Sequence, residues 1–278
     1  PDMAGYALWK GLVRDDVLRE LTYTNREFTG AEAGELGFAT YVDANPVARA
    51  SAIAAEILVS GNITTSTTWT SNNTYNLQGQ VYVSPGATLT IQAGTVIASD
   101  LGGSLAVTRD ARLVCNGNAS SPVIFTSKTD YNTWTSQNPR GQWRAVANEW
   151  GNITIMGNGY IGKYGAGAVS TNTAAPNAGN YANMEGLTAS GSGDTRTFYG
   201  GGNDLDNSGS LTYTQIRYGG LVVGLGNELN GLSLGGIGRS TTIDHIEIMN
   251  NVDDGIEIWG GTVDLKYVSI WHLGDDSF

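Results

Sequence analysis

The stretch from Ser240 to Phe278, STTIDHIEIMNNVDDGIEIWGGTVDLKYVSIWHLGDDSF, contains two copies of one pattern. Three apolar positions recur at one constant offset, which aligns Ile243 with Leu265, Ile246 with Val268, and Ile248 with Ile270. The pair Asp253-Asp254 recurs as Asp275-Asp276 at the same offset. Short β-branched runs that repeat about every 22 residues, with Gly, Asn and Asp between them, indicate a solenoid. Each strand is too short to bury a face alone, so each must stack on its neighbouring copy.

Earlier segments continue the same pattern. Between Gln80 and Ser99, short apolar runs are separated by turn residues such as Pro85-Gly86. The run Ala87–Ile91 has a counterpart one coil later in Ala111–Cys115. Three strands per coil and coils of about 20 to 24 residues are typical of a right-handed parallel β-helix. The sequence therefore predicts an all-β fold, a right-handed parallel β-helix solenoid over residues 59–278, with a partly helical N-terminal segment.

The repeat also predicts the register of the coil that precedes Ser240. Leu211, Tyr213, Ile216 and Tyr218 align in order with Thr241, Ile243, Ile246 and Ile248. Because this offset is longer than the one that separates Ile243 from Leu265, the coil is predicted to carry an insertion. The glycines between Gly219 and Gly238 fit an enlarged corner at that point.

Residues 1–58 do not share the β pattern. The segment Tyr6–Leu21 places most of its leucines on one helical face, and Asn45-Pro46 is a helix start before VARASAIAAEIL, residues 47–58. A solenoid needs its terminal apolar face covered. This segment is therefore interpreted as an N-terminal helical cap, or as an arm that docks on another subunit.

Residues 159–209 form a long, weakly periodic excursion rich in Gly, Asn, Ser and Thr. A long loop in a compact domain is either functional or flexible, and such loops often carry a solenoid's binding surface. Five aromatic residues of the excursion are candidates for contact with sugar rings: Tyr160, Tyr164, Tyr181, Phe198 and Tyr199.

Composition excludes several classes of partner. The chain has 26 Asp and Glu against 15 Lys and Arg, a net charge of −11, which disfavours nucleic acids and anionic membranes. No apolar run approaches the ~18 residues of a membrane-spanning helix.

Cys115 is the only cysteine, so no internal disulfide is possible, and its alternating apolar surroundings predict a buried thiol.

The loop Asp204-Leu-Asp206-Asn-Ser208-Gly209 is a first candidate metal site. Alternate oxygen-bearing side chains, here Asp204, Asp206 and Ser208, around a tight glycine turn can bind a hard cation such as Ca²⁺. The alternative is a turn rich in Asx hydrogen bonds before the strand at Leu211.

The two aspartate pairs form a second candidate metal site. Asp253, Asp254, Asp275 and Asp276 are expected to stack on adjacent coils, about 4.8 Å apart along the axis. Carboxylates at that spacing repel one another unless a cation or protons intervene. The alternatives are a Ca²⁺ site, an acid/base pair for glycoside hydrolysis, and a ladder of turns that cap backbone N–H groups.

The sequence does not mark any basic or histidine side chain as a catalytic residue. A lyase would need a base beside the cation, and Arg217 and Lys266 lie on matching strands. We interpret both as solvated outward side chains. His245 and His272 also lie in predicted strands and are interpreted as packing or surface residues.

Several segments together resemble a known group of proteins. They include PGATLTIQAGTVI (85–97), WGNITIMGNG (150–159) and DDGIEIWGGTVDLKYV (253–268). The chain resembles secreted bacterial right-handed parallel β-helix proteins of the pectin-lyase-like fold group, and within it a poorly characterised exported family. The resemblance implies a secreted or cell-surface bacterial protein but no agreed reaction. The Gly-His-Gly and Arg-Ile-Lys motifs of pectin-degrading hydrolases are absent from the sequence.

Two functional hypotheses follow. In the first, the chain is a non-enzymatic extracellular or cell-surface structural protein that self-associates, as a homo-oligomer or as a head-to-tail polymer that forms filaments. It rests on the separate N-terminal segment, on the missing catalytic motifs, and on the sequence stopping at Phe278 in mid-rung. An uncapped end would expose strand edges, so either the sequence is a fragment of a longer protein or another subunit covers the end. In the second, it is a Ca²⁺-dependent polysaccharide-binding or polysaccharide-degrading protein that uses the 159–209 excursion.

Overall fold

The computed structural model describes residues 56–135, 137–164, 168–169, 180–188, 190, 194–224 and 227–278. The strands that build the coils are β1 (Glu56–Val59), β2 (Thr67–Trp69), β3 (Thr74–Leu77), β4 (Gln80–Val83), β5 (Thr88–Gln92), β6 (Val96–Ser99), β7 (Ser104–Val107), β8 (Arg112–Asn116), β9 (Val123–Ser127), β10 (Ile153–Met156), β15 (Gly209–Arg217), β18 (Leu232–Ile237), β19 (Thr242–Asn251), β20 (Ile256–Gly261) and β21 (Asp264–Leu273). The excursions carry short hairpin strands, namely β11 (Lys163–Tyr164), β12 (Ala168–Val169), β13 (Ala182–Asn183), β14 (Phe198–Tyr199), β16 (Val222–Gly224) and β17 (Asn227–Glu228), and one short helix, α1 (Lys128–Tyr131).

The coil strands form three faces that wind around one core. Face 1 contains β2, β5, β8 and the first halves of β15, β19 and β21. Face 2 contains β1, β3, β6, β9 and the second halves of the same three long strands. Face 3 contains β4, β7, β10, β18 and β20. All of these pairings are parallel, so the predicted parallel β-helix is confirmed.

Inward side chains of the three faces fill a continuous apolar core. Leu89 and Ile91 of β5 stack on Leu113 and Cys115 of β8, and all four are completely buried. The predicted alignment of these two strands is thus confirmed. Cys115 is a free, buried thiol, as predicted, and burial raises its pKa to about 12.

The register prediction was correct for one coil and wrong for the other. β19 pairs with β21 in the predicted register, with Ile243 opposite Leu265. In the pairing of β15 with β19, Leu211 rather than Tyr213 lies opposite Ile243. The predicted register requires Tyr213 and Tyr218 to be inward residues, which is wrong. Both have positive φ, 46° and 59°, at bends where the alternation of inward and outward side chains is interrupted.

The first strand begins earlier than predicted. Glu56–Val59 pairs in parallel with Thr74–Leu77. The last three residues of the predicted helix over residues 47–58 are therefore in a strand. Pairing along a full neighbouring strand overrides local helix propensity here. The remaining N-terminal predictions, including the segment Tyr6–Leu21 and the cap or docking arm, lie outside the described residues.

The chain divides into two compact units. One contains all of the strands named above and extends over residues 52–134 and 140–278. The other contains residues 1–51 and 135–139, of which the structure describes a turn closed by hydrogen bonds between Thr135 and Asn138.

Candidate functional site

The candidate site lies where face 3 meets the turn that follows β19. In β20, Ile256 is directed into the core, and Glu257 is directed outward opposite Ser233 of β18. The turn between β19 and β20 carries Asp253 and Asp254. Its shape is fixed by the buried amide of Asn251, which donates hydrogen bonds to the carbonyls of Leu229 and Asp254.

Three of the four predicted aspartates meet in this turn region. Asp253, Asp254 and Asp275 each place one carboxylate oxygen within 4.8 Å of the others. The backbone N–H of Asp276 donates a 2.9 Å hydrogen bond to Oδ1 of Asp254, across adjacent coils. The two pairs therefore stack as predicted, and one side chain also caps a backbone N–H in the manner of a turn ladder.

The charged groups that act on Asp253 are all acidic, so none of them relieves the repulsion between the clustered carboxylates. Burial raises the pKa of Asp253 most, and Asp254, Glu228, Asp275 and Glu185 raise it further. Burial likewise raises the pKa of Glu257, with added repulsion from Glu185, Asp254 and Asp253, although a hydrogen bond from Asn230 opposes the shift. Every charged group that acts on these two carboxyls is itself acidic.

The donor set fits a hard divalent cation. Ca²⁺ takes six to eight oxygen ligands and tolerates irregular geometry. The cluster offers three close carboxylates, two of them partly buried, and no nitrogen or sulfur donor. Because Asp254 and Asp275 add to the rise in the pKa of Asp253, a cation between the three carboxylates would remove an unfavourable interaction that the protein otherwise carries.

The loop of Asp204, Asp206 and Ser208 uses its oxygens differently. Asp204 accepts a hydrogen bond from the Tyr160 N–H, and Asp206 accepts from the Asn158 amide and from the Ser208 hydroxyl. The Asn207 side chain closes an Asx turn by accepting the Gly209 N–H. These contacts match the turn alternative, and cation binding by this loop stays a prediction.

The excursion aromatics mainly pack against the coil. Tyr199 is 3% exposed and lies beside Trp259 on the outer side of face 3, in a small apolar cluster with Tyr82, Met156 and Met184. Tyr181 and Phe198 stack on each other with ring centroids 4.9 Å apart. The side chain of Tyr164 lies outside the described residues. The described parts of the excursion thus cover face 3.

Arg217 is buried, contrary to the prediction of a solvated side chain. It is 8% exposed on the outer side of face 2, where its Nη atoms donate to the Arg140 carbonyl and to Gln215. Burial lowers its pKa, and the nearby buried carboxyl of Asp130 has its pKa raised by burial. No sequence pattern marked this polar cluster, because the segment that covers it has no repeat. Lys266, on the face 1 half of β21, is exposed as predicted.

Comparison with known proteins supports the fold. A family model described as a pectate-lyase-like β-helix domain matches residues 61–278. No curated protein and no solved structure matches the chain. Within the described part of the chain, no helix has the length and apolar character required to cross a membrane. The family match extends over nearly the whole solenoid, and the chain belongs to the pectate-lyase-like β-helix domain family.

Proposed function

We propose that this domain binds an acidic polysaccharide outside the cell, through a Ca²⁺ ion held by Asp253, Asp254 and Asp275. The observation that carries the proposal is the convergence of these three carboxylates within 4.8 Å. Glu257 and Glu228 lie near enough to influence the same carboxyls, so the ion would sit in a strongly acidic surface.

Charge explains why a cation would be needed. The chain carries a net charge of −11, so it repels an anionic polymer at long range. A bound Ca²⁺ would offset most of the charge of the three carboxylates and offer open coordination positions to a uronate carboxylate. Extracellular Ca²⁺ modules commonly have affinities in the range of about 10⁻⁴ to 10⁻³ M, which suits a secreted location.

The proposal is for binding rather than cleavage. A lyase would need a base beside the cation to remove a proton from the sugar. Arg217 lies on face 2 and Lys266 on the face 1 half of β21, whereas the aspartate cluster adjoins face 3. The charged groups that act on Asp253 are all carboxylates.

Calorimetric titration of Ca²⁺ into the protein tests the proposal. We expect one site per chain in the wild type, and at least tenfold weaker binding in Asp253→Asn/Asp254→Asn. Asp264→Asn, an exposed aspartate of β21 outside the cluster, is the matched control and should bind Ca²⁺ normally. Polygalacturonate should then bind the wild type with Ca²⁺ but not with chelator. Equal Ca²⁺ binding by all three proteins would contradict the proposal.

A further inference from the structure

A cavity lies at the corner where the chain passes from face 2 to face 3. Its outer side is formed by residues 143–147, which we call the strap, and its inner side by residues 250–252 and 272–274 of two successive coils. The cavity has a volume of about 350 Å³. Small-molecule sites usually have volumes of roughly 300 to 1,000 Å³, so a compact organic ligand fits here.

Hydrogen bonds hold the strap against the corner of β19. The indole Nε1 of Trp143 donates a 2.7 Å bond to Oδ1 of Asn250, and the Asn250 amide donates a 2.9 Å bond to the carbonyl of Arg144. The Arg144 guanidinium donates two hydrogen bonds to the Glu149 carboxylate, so its positive charge is paired. The outer wall of the cavity is therefore fixed, and it presents no unpaired cation.

The cavity wall is largely apolar. Val146 and Val252 supply aliphatic surface, and the Trp143 ring lies beside the His272 ring with centroids 4.8 Å apart. Among the described residues, those that line the cavity include no Lys, Arg, Asp or Glu. These walls favour the apolar part of a ligand, because its surface leaves water on binding.

One polar residue of the wall lacks a partner. Asn251 is 3% exposed, and its amide nitrogen donates to the carbonyls of Leu229 and Asp254. Its Oδ1 is buried and accepts no hydrogen bond within the described part of the chain. A buried acceptor without a donor costs free energy. A ligand that carries an N–H group would satisfy it.

Carboxylates follow the lining residues directly. Val252 leads into Asp253 and Asp254, and Gly274 leads into Asp275. These three carboxylates converge within 4.8 Å, and every charged group that acts on Asp253 is acidic. With a net charge of −11 on the whole chain, the potential beside the cavity attracts cations and repels anions.

We propose that the cavity binds a small organic ammonium ion, with its apolar body between the strap and the coils and its nitrogen toward the aspartates. The walls take up the apolar body. The Asn251 oxygen and the neighbouring carboxylates favour N–H donors that carry a positive charge. An uncharged ligand gains only the contribution of the walls. The inference goes beyond the proposed polysaccharide binding, because this ligand is itself the cation and needs no Ca²⁺.

Calorimetric titration with 2-phenylethylammonium and hexylammonium, each in chelator, tests the inference. At least one should bind the wild type, and the alcohol with the same apolar body should bind at least tenfold more weakly. Val146→Lys places a positive charge in the wall, at a side chain that is 38% exposed, and should weaken ammonium binding at least tenfold. The matched control is Leu101→Lys, which adds the same charge at an exposed apolar residue outside the cavity and should leave the affinity unchanged.

Four results would overturn the inference. They are failure of both ammonium ions to bind, equal binding of the matching alcohol, normal binding by Val146→Lys, and equal loss in Leu101→Lys.

The aspartates provide the link to the proposed Ca²⁺ site. Asp253→Asn/Asp254→Asn should weaken ammonium binding several-fold without abolishing it, because the apolar walls remain, whereas Asp264→Asn should not affect it. Unchanged affinity in the double variant would contradict the proposed orientation of the nitrogen and overturn the inference. A wild-type protein that binds the ammonium ion but not Ca²⁺ would support the inference and contradict only the function proposed above.

Discussion

Inward and outward positions of the same strands differ in what they keep from coil to coil. Along β19, Ile243 and Ile248 are at most 1% exposed and continue the apolar rows of the neighbouring coils. The outward row instead carries a different residue in each coil, namely Gln215, then Glu247, then Ser269. The inward rows specify the solenoid, whereas the outward rows vary and the turns carry the acidic cluster. Substitutions on the two sides should therefore have separable effects.

The largest effect is expected where a glycine with positive φ lets adjacent coils approach closely. Gly209 starts β15 with φ of 113°, and a Cβ there would lie 2.0 Å from the carbonyl oxygen of Leu113. Because this neighbour is backbone, Gly209→Ala should lower the free energy of unfolding by on the order of 5 kcal/mol. Urea denaturation measures this. Gly61→Ala, with no atom within 4 Å of the added Cβ, should cost less than about 1 kcal/mol. Similar losses in both variants would refute this account of Gly209.

The buried thiol tests how well the inward side excludes solvent. Burial raises the pKa of Cys115 to about 12, so very little reactive thiolate exists at pH 8. We expect an aromatic disulfide reagent to modify the native protein at least about a thousandfold more slowly than the same protein in urea. Rapid modification without denaturant would show that the core opens locally around face 1.

The sequence predicted the inward side well because one physical rule governs it. The alignment of Ile243 with Leu265 in the last coils, and that of Leu89 with Leu113 between β5 and β8, both follow from stacking of apolar residues. The excursion over residues 159–209 is predicted from a composition that lacks that pattern. Its aromatics could not be assigned a role, because the sequence did not show that Tyr199 would pack on Trp259.

The outward side was predicted less completely. The aspartate pairs were found because they share the coil period. The stacking of the Tyr213, His245 and Tyr267 rings, with centroids 4.1 and 4.5 Å apart, was missed. The predicted register aligns Tyr213 with Ile243, whereas the observed register aligns it with His245 and then Tyr267. Inward and outward residues alternate strictly only within a strand, so one left-handed bend residue is enough to shift the alignment.

A pair of substitutions on one strand measures the difference between the two sides directly. Leu89 of β5 is fully buried and Gln92 is exposed. Leu89→Ala should lower the free energy of unfolding by about 3 kcal/mol, through lost apolar burial and the cavity that remains. Gln92→Ala should change it by less than about 0.5 kcal/mol. Chemical denaturation of both variants gives the comparison, and equal losses would contradict the assignment of inward and outward faces.

The smallest effect concerns pH and the outward aspartates. Burial and then Asp254 raise the pKa of Asp253, so the folded state holds this proton more tightly than the unfolded state. The resulting stabilisation of the folded state is fully present at pH values below the ordinary pKa of Asp, and it is lost as pH rises through the raised pKa of Asp253. Without a divalent cation, Asp253 therefore destabilises the folded protein at neutral pH, and Asp253→Asn should raise the free energy of unfolding at pH 7 by less than about 1 kcal/mol.

Calcium should reverse this pH dependence, because it binds the deprotonated carboxylates. We expect the Tm gained on adding Ca²⁺ to be larger at pH 7 than at about pH 4.5, and to vanish in Asp253→Asn/Asp254→Asn. Carboxyls with a lowered pKa contribute with the opposite sign as pH falls below the ordinary Asp range, such as Asp194, whose pKa is lowered by hydrogen bonds from Arg196. The informative quantity is therefore the difference between wild type and variant at each pH, measured by calorimetry with Asp264→Asn as control. A Ca²⁺ gain independent of pH in the wild type would show that the ion is not held by these aspartates, and would leave the acidic turn with only its role in capping the backbone between coils.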